Sequence, residues 1–184
     1  ALYGAQSLKF NGSSGWLTAP ASPSLAIASN EDFTISFNAW KSGNGSAGYD
    51  YAISTTDNGS ATNGWAVELS ATRGLVFVAG GQLVVSLKLN PNNSTWENWE
   101  LSRKDSVLRV FRSGAKIHQV ADTRAYGQVG LTVGAMYPGA YPFSGFLQQV
   151  LIVKGLALHD ADFVPASLLG GAEQPFETLL VHPM

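Results

Sequence analysis

Hydrophobic and polar residues alternate along most of this chain with a period of two. In residues 32–40, Phe33, Ile35 and Phe37 fall on one face, whereas Thr34 and Ser36 fall on the other. This alternation is typical of a β-strand with one buried face. Similar patterns predict further strands at residues 7–10, 49–54, 64–70, 75–79, 82–87, 95–102, 106–112, 116–120, 128–133 and 145–153.

Short turn signals separate these predicted strands. Asn-Gly pairs occur at residues 11–12, 44–45, 58–59 and 63–64, and such pairs favour tight hairpins because both residues tolerate a positive φ. About eleven short strands at this spacing predict an all-β fold, in which two antiparallel sheets form a jelly-roll sandwich. The expected core comprises Phe33, Ile35, Phe37, Leu108, Val110, Val150 and Ile152.

The C-terminal part of the sequence departs from the strand pattern. One short helical turn is expected at residues 156–163, where Asp160 or Asp162 can cap it before Pro165 ends it. The sandwich is therefore assigned to residues 1–165. Residues 166–184 form an apolar arm, which either packs back on its own sandwich or docks on a neighbouring subunit. The arm contains Leu168, Leu169, Phe176, Leu179 and Leu180.

Composition excludes several classes of protein. Charged residues make up 13% of the 184 residues and the net charge is −2, so no strong field attracts nucleic acid or an anionic membrane. The chain has no cysteine, which excludes disulfide bonds and metal sites that use cysteine. No stretch of the sequence is apolar for long enough to span a membrane. We expect neither a nucleic-acid nor a membrane partner.

Four segments, taken in order, resemble a known domain type. The first segment, residues 7–12, is followed by Trp16 and Leu17, and the second, residues 32–40, ends in tryptophan. The pattern of residues 99–114 predicts a hairpin, and that of residues 143–152 predicts a closing strand. This succession resembles the laminin-G-like domains of the concanavalin A-like lectin/glucanase superfamily. The resemblance implies the sandwich fold and a binding role. Laminin-G-like modules of this kind are also found in bacteriophage structural proteins.

Calcium binding is common among the proteins that this sequence resembles, but it is not expected here. Gln148 and Gln149 stand where such domains often have acidic residues, and residues 13–15 carry no carboxylate near the first hairpin. Calcium needs several oxygen ligands, usually including carboxylates. We therefore predict no cofactor, and calcium bound weakly or not at all. Asp50 and Asp57 are the best candidates for any metal site.

Residues for catalysis are missing from the sequence. Glycosidases of this superfamily place carboxylates two residues apart on one strand face, whereas Glu97 and Glu100 are three apart and point to opposite faces. His118, His159 and His182 lie outside any Gly-x-Ser-x-Gly context, which a hydrolase of that type would need. We therefore expect a protein without enzymatic activity.

An aromatic loop is the best candidate for a ligand site. Residues 137–143 contain three aromatic residues and two prolines. The loop either folds over the end of the sandwich or forms a stacking platform for a sugar or a partner side chain. The strand that starts near residue 49 could border it. The predicted ligand-binding residues are Tyr49, Asp50, Tyr51, Tyr137, Tyr141 and Phe143.

An outward stripe on one predicted strand suggests a contact surface. Val107, Arg109 and Phe111 alternate with inward-facing residues. Either Arg109 covers its neighbours with its aliphatic stem, or the stripe contacts another protein, because Phe and Arg are enriched at interfaces. With the apolar arm, the stripe would expose more apolar surface than monomers usually do. We therefore expect a homo-oligomer with cyclic symmetry.

Three functions follow from these observations. The first is a structural protein of a virus particle, a capsid decoration or tail appendage of a phage. Its partners would be itself and other virion proteins, and it would be made in the host cytoplasm. The second is a carbohydrate-binding module of a secreted protein. A glycosidase with degenerate motifs is the third and the weakest. A cell-surface glycan is a candidate partner for the first two.

Overall fold

The computed structural model describes residues 7–45, 48–91, 94–127 and 129–165, and the backbone of Val181–His182. It confirms the two-sheet antiparallel sandwich. The first sheet has the order β1 (Leu8–Asn11), β12 (Ser144–Lys154), β3 (Phe33–Lys41), β8 (Trp96–Lys104), β9 (Val107–Arg112), β10 (Ala115–Ala121). The second has the order β2 (Leu17–Ala19), β11 (Leu131–Val133), β4 (Tyr51–Ser54), β5 (Trp65–Ser70), β6 (Gly74–Ala79), β7 (Gln82–Leu87). A two-residue strand, β13 (Val181–His182), pairs in parallel with β12.

The core lies between the facing sides of the two sheets. It combines side chains that alternate inward on β3, β8 and β9 with those of β5 and β6. Six of the seven predicted core residues are fully buried, and the seventh, Val150, is half-buried against the same cluster. A β-bulge between Gln148 and Leu151 shifts the register beside Val150. The period of two therefore predicted the inward face correctly.

The central strand β3 is buried on its second face as well, which its alternating pattern did not predict. Thr34 is fully buried, and its hydroxyl donates to Leu156 O at 3.1 Å and accepts from Leu158 N at 2.9 Å. The segment responsible is residues 155–165, which we call the covering segment. It satisfies the Thr34 hydroxyl in place of water. Farther along the same face, Ser36 and Asn38 bond instead with Asn98 of β8 and Gln149 of β12.

The helical turn predicted at residues 156–163 is wrong. That stretch is irregular, and the helical element within the described ranges is a 3₁₀ turn at Pro23–Leu25, capped by Ser22. The covering segment instead uses its backbone and side chains in contacts with the sheet. Phe163 N donates to Gly114 O at 2.9 Å, for example. None of the helices described has the length and hydrophobicity needed to cross a bilayer.

Phe163 fixes the end of the covering segment. Its ring meets Phe111 edge to face at 5.4 Å and stacks on His159 at 3.5 Å. The His159 Nδ1 lies 2.9 Å from the buried Glu100 carboxylate. Burial raises the pKa of Glu100, while the interactions with His159 act in the opposite direction. The segment is thus held to β8 and β9 by aromatic and polar contacts together.

A buried arginine closes the sandwich where β3 begins. The Arg103 guanidinium donates to Asp122 Oδ2 at 2.9 Å and to the backbone oxygens of Ala28, Glu31 and Arg124. It also lies over the rings of Phe33 and Tyr126. Burial raises the pKa of Asp122, but hydrogen bonds from Tyr126, Arg124 and Arg103 outweigh it and hold that pKa below its usual value.

We expect the Arg103→Met variant to lose about 3 kcal/mol of unfolding free energy, because breaking a buried ion pair leaves its partner uncompensated. Arg124→Met is the matched control. Arg124 binds the same carboxylate but is 36% exposed, so its loss should cost about 1 kcal/mol or less. Urea unfolding measures both variants. Equal effects would contradict this account of Arg103.

We expect Phe163→Ala to lower the unfolding free energy by about 2 kcal/mol, because the change removes the aromatic contacts of a partly buried ring. Val164→Ala is its control, since Val164 is 66% exposed and surface changes cost about 0.5 kcal/mol or less. The same urea titrations apply. Equal stability of the two variants would show that the covering segment is not held through Phe163.

Candidate functional site

An open pocket of about 190 Å³ lies on the outer face of the second sheet. Below it is a small apolar cluster separate from the main core, which includes Ala61, Ala66 and Met136. Ala66 faces outward because its neighbours on β5, Trp65 and Val67, point into the core. The pocket is lined by Tyr49, Tyr51, Gly59, Arg73, Met136 and Tyr141.

Three tyrosine rings form the apolar walls of the pocket. Tyr141 meets Tyr49 edge to face, with centroids 5.6 Å apart and planes at 87°, and lies 5.9 Å from Tyr51. Tyr49 is 40% exposed, so part of its surface is open to solvent. Tyr141 has a φ of 52°, which is unfavourable for a bulky residue. Its carbonyl accepts a hydrogen bond from Tyr51 N, which holds the loop in place.

An arginine and a buried glutamate supply the polar groups. The Arg73 guanidinium lies 5.4 Å from the centre of the Tyr49 ring, and its Nη1 lies 3.0 Å from Oε2 of Glu68. The Ser70 hydroxyl donates to the other oxygen of Glu68 at 2.6 Å. Glu68 is fully buried, whereas the Arg73 side chain is 39% exposed. Arg73 can therefore reach a ligand while Glu68 holds it in position.

Burial shifts the pKa of two side chains at the pocket, Tyr51 and Glu68. Burial, with the nearby Glu68 charge, raises the pKa of Tyr51 to about 12, so its hydroxyl keeps its proton and hydrogen bonds with Glu68. Burial also raises the pKa of Glu68, against the effects of Ser70 and Arg73. When Glu68 is ionised, its carboxylate balances the charge of the Arg73 guanidinium 3.0 Å away.

Asp50 positions the two tyrosines beside it in the sequence. Its side chain turns away from the pocket and lies 3.0 Å from Lys41 Nζ, with both side chains buried. Its Oδ1 accepts from the backbone N–H groups of Gly45 at 2.6 Å and Ser144 at 3.2 Å. A Cβ on Gly45 would lie 2.6 Å from the same Asp50 oxygen, so only glycine permits this approach.

The structure brings together three of the six predicted ligand-binding residues, Tyr49, Tyr51 and Tyr141. The others lie elsewhere. Asp50 is buried in its ion pair, and Phe143 is part of the main core, edge to face with Phe10. Tyr137 packs against the apolar cluster below the pocket. Asp50 and Phe143 were predicted to bind the ligand, but both are fully buried, so neither is accessible to one in this structure.

Sequence reasoning missed Glu68, Arg73, Met136 and Gly59. The strand register explains the first omission, because Tyr51 and Glu68 are cross-strand partners on β4 and β5. One signal was available. Glu68 is a charged residue in the middle of a strand of otherwise uncharged residues, and its alternation with Val67 and Leu69 places it on the outer face. Arg73 belongs to the turn that follows, three residues after Ser70.

The predicted contact stripe is less exposed than expected. Phe111 faces outward, as predicted, but it is fully buried beneath Phe163. Val107 and Arg109 are half-buried, and Arg109 donates to the Val107 and Lys104 carbonyls. The stripe is therefore not an open apolar patch. Five further predicted contact residues lie outside the described residues: Leu168, Leu169, Phe176, Leu179 and Leu180.

The two carboxylates proposed for a metal site have different surroundings. Asp50 is occupied by Lys41 and two backbone amides, so it is unsuited to calcium. Asp57 accepts a hydrogen bond from the neighbouring Asn58 side chain. Among the residues described, no group of three or more His, Cys, Asp or Glu side chains could hold a metal ion.

Comparisons with known proteins identify the fold. No protein-family profile matches the chain, and no curated protein is similar to it in sequence. Among solved structures, it is similar to domain 4 of AbnA, a GH43 extracellular arabinanase from Geobacillus stearothermophilus, in complex with arabinotriose. The TM-score is 0.62 at 12% identity, over 83% of this chain and 72% of that one.

Two other solved structures are similar over most of this chain. The CBM40 domain of the Ruminococcus gnavus IT-sialidase, bound to α2,3-sialyllactose, has a TM-score of 0.54 at 12% identity, over 84% of this chain and 94% of that one. Domains LG4-5 of the mouse laminin α1 chain have a TM-score of 0.55 at 11% identity. That match covers 80% of this chain and 41% of the laminin chain. The chain thus has the concanavalin A-like sandwich fold that laminin G domains and carbohydrate-binding modules share.

Proposed function

We propose that this protein is a carbohydrate-binding domain, and that the pocket lined by Tyr49, Tyr51, Arg73 and Tyr141 holds the sugar. The observation that carries the proposal is the combination in one open pocket of three tyrosine rings with an anchored arginine. Aromatic faces pack against the C–H groups of a sugar ring, and the guanidinium donates hydrogen bonds to its hydroxyl groups.

The size of the pocket favours a small group. Its volume of about 190 Å³ lies below the roughly 300–1,000 Å³ of sites that enclose drug-sized ligands. A single sugar residue at the end of a glycan chain suits an open pocket of this kind. Because the pocket is shallow and few groups line it, we expect weak binding, with a Kd on the order of 0.1–1 mM.

The charge of the pocket favours a neutral sugar. Arg73 is the cation of the site, and its partner Glu68 lies within 3.0 Å. An acidic sugar would meet the field of the buried carboxylate as well as that of the guanidinium. A neutral sugar needs only the hydrogen bonds that the guanidinium donates.

The comparisons support this proposal at the level of the fold. Two of the similar structures hold saccharides, arabinotriose in the arabinanase domain and sialyllactose in the sialidase module. Fold alone does not determine function, so the assignment depends on the pocket. Binding without catalysis is part of the proposal, because the buried Glu68 is engaged by Arg73 and Ser70 instead of facing open space.

A structural role in a virus particle stays a prediction from the sequence. The contact stripe is largely covered and the arm lies outside the described residues, so neither adds support to an assembly role. The carbohydrate-binding hypothesis, in contrast, is supported by a defined pocket. A glycan-binding pocket would also serve a phage appendage. The neighbouring genes would separate the two settings, because capsid or tail genes would favour the virion.

We expect Tyr49→Ala to weaken sugar binding about three- to tenfold, since an aromatic contact contributes roughly 0.5–1.5 kcal/mol. Tyr49→Phe, which keeps the ring, should bind within about twofold of the original. A glycan array identifies the ligand and calorimetry then measures the affinities. Absence of any glycan ligand, or equal loss in both Tyr49 variants, would contradict the proposed stacking.

We expect the sugar to bind without calcium. Asp50 is already saturated by Lys41 and two amides, and ligation at saturating metal would stabilise the folded state. Adding excess calcium should leave the melting temperature unchanged, and a chelator should leave the sugar affinity unchanged. A rise of several degrees on adding calcium would show a metal site that the described residues do not account for.

A further inference from the structure

Lys41 and Asp50 form an ion pair enclosed by the protein. Lys41 is the last residue of β3, in the first sheet, and Asp50 immediately precedes β4, in the second. The Nζ of Lys41 lies 3.0 Å from Oδ2 of Asp50, and the two side chains are 1% and 0% exposed. Water is therefore excluded from the contact between an amine and a carboxyl group.

The surroundings of Lys41 are poor for a charged ammonium group. A lysine ammonium has three donors, yet within the described part of the chain Asp50 is its sole acidic or acceptor partner. The ring of Phe143 lies 4.4 Å from Nζ and encloses it. Burial lowers the pKa of Lys41 and raises the pKa of Asp50, and the attraction between the two opposes both shifts. The Gly45 and Ser144 amides also lower the pKa of Asp50, but burial is the larger effect on both residues, so the shifts favour the neutral pair formed when the Nζ proton moves to the carboxylate.

The other oxygen of Asp50 is held by two backbone amides. Gly45 N and Ser144 N donate to Oδ1 at 2.6 and 3.2 Å. Two N–H donors on one carboxyl oxygen are the arrangement that stabilises the oxyanion of a tetrahedral intermediate in acyl transfer. Oδ2, the oxygen that faces the amine, accepts from neither. Oδ1 is thus placed to become the oxyanion, whereas Oδ2 is placed to receive a proton from the amine.

We propose that Lys41 and Asp50 condense with each other to form an intramolecular isopeptide bond. The neutral Nζ attacks Cγ of the protonated Asp50 carboxyl group, and the oxyanion on Oδ1 is held by the two amides. A proton moves from Nζ to Oδ2, the Cγ–Oδ2 bond breaks, and one water leaves as the Nζ–Cγ amide forms. The reaction consumes no oxidant, reductant or co-substrate.

Enclosure and fixed geometry favour this reaction. The amine and the carboxyl group are already in contact, and holding two reactants in place removes much of the entropic barrier. The product would replace a desolvated ion pair, which is costly to bury, with an uncharged amide. It would also link the two sheets covalently, in a chain that has no cysteine for disulfides. The inference is independent of the sugar-binding proposal.

Mass spectrometry of the intact protein tests the proposal. After folding and incubation, the denatured protein should be lighter than its sequence mass by one water. Trypsin cleaves after a free lysine, so unmodified protein gives separate peptides 10–41 and 42–73. The linked protein should give one peptide, 10–73, lighter by one water, and fragmentation should produce no ions from breaks between residues 41 and 50.

Lys41→Arg is the matched control, because it keeps the charge and the trypsin site but removes the nucleophilic amine. Its mass should equal the full sequence mass. A water loss that persists in this variant would indicate a succinimide at an aspartate and would overturn the proposal. Full mass of the original protein, with cleavage after Lys41, would also overturn it. If the variant fails to fold, the peptide map of the original protein decides the question alone.

Discussion

The pocket depends on the buried contact between Lys41 and Asp50. Lys41 and the amides of Gly45 and Ser144 bind Asp50, so these contacts tie the start of β4 to the first sheet and to the loops beside it. Tyr49 and Tyr51, on either side of Asp50, are therefore placed at the pocket by a contact on the other side of the backbone. The same contact joins the end of β3 to the other sheet, so the architecture and the candidate site share one anchor.

Buried basic side chains lie at both ends of β3, but their surroundings differ. Arg103, paired in register with Phe33 at the start of the strand, has four oxygen partners and two aromatic faces. Its planar guanidinium stays charged and suits such a site. Lys41, at the other end, faces one carboxylate in the described structure. A lysine changes its protonation state readily when buried, so Arg103 is suited to structural bonding and Lys41 to chemistry.

Local pattern was enough to predict the strands, but not the contacts between distant segments. The alternation at β3 and the Asn-Gly turns depend only on residues adjacent in the sequence, so the sequence was enough to predict them. The helix expected at residues 156–163 failed because Phe163 and His159 bind β8 and β9, far away in sequence. The aromatic loop at residues 137–143 and the strand that starts near residue 49 led to the prediction of the three pocket tyrosines. Glu68 was missed because its position opposite Tyr51 depends on strand register, which the sequence does not state.

In the proposed function, a common sandwich acquires its binding site through a few residues on one face. Its side chains come from the start of β4, the turn between β5 and β6, and the loop before β12, whereas the sheets below supply a rigid base. Similar sandwiches at 11–12% identity share that base, so specificity must reside in the few residues above it. The positive φ of Tyr141 costs free energy that the surrounding contacts offset. Its ring is held ready before a ligand arrives, and such preorganisation reduces the entropy lost on binding.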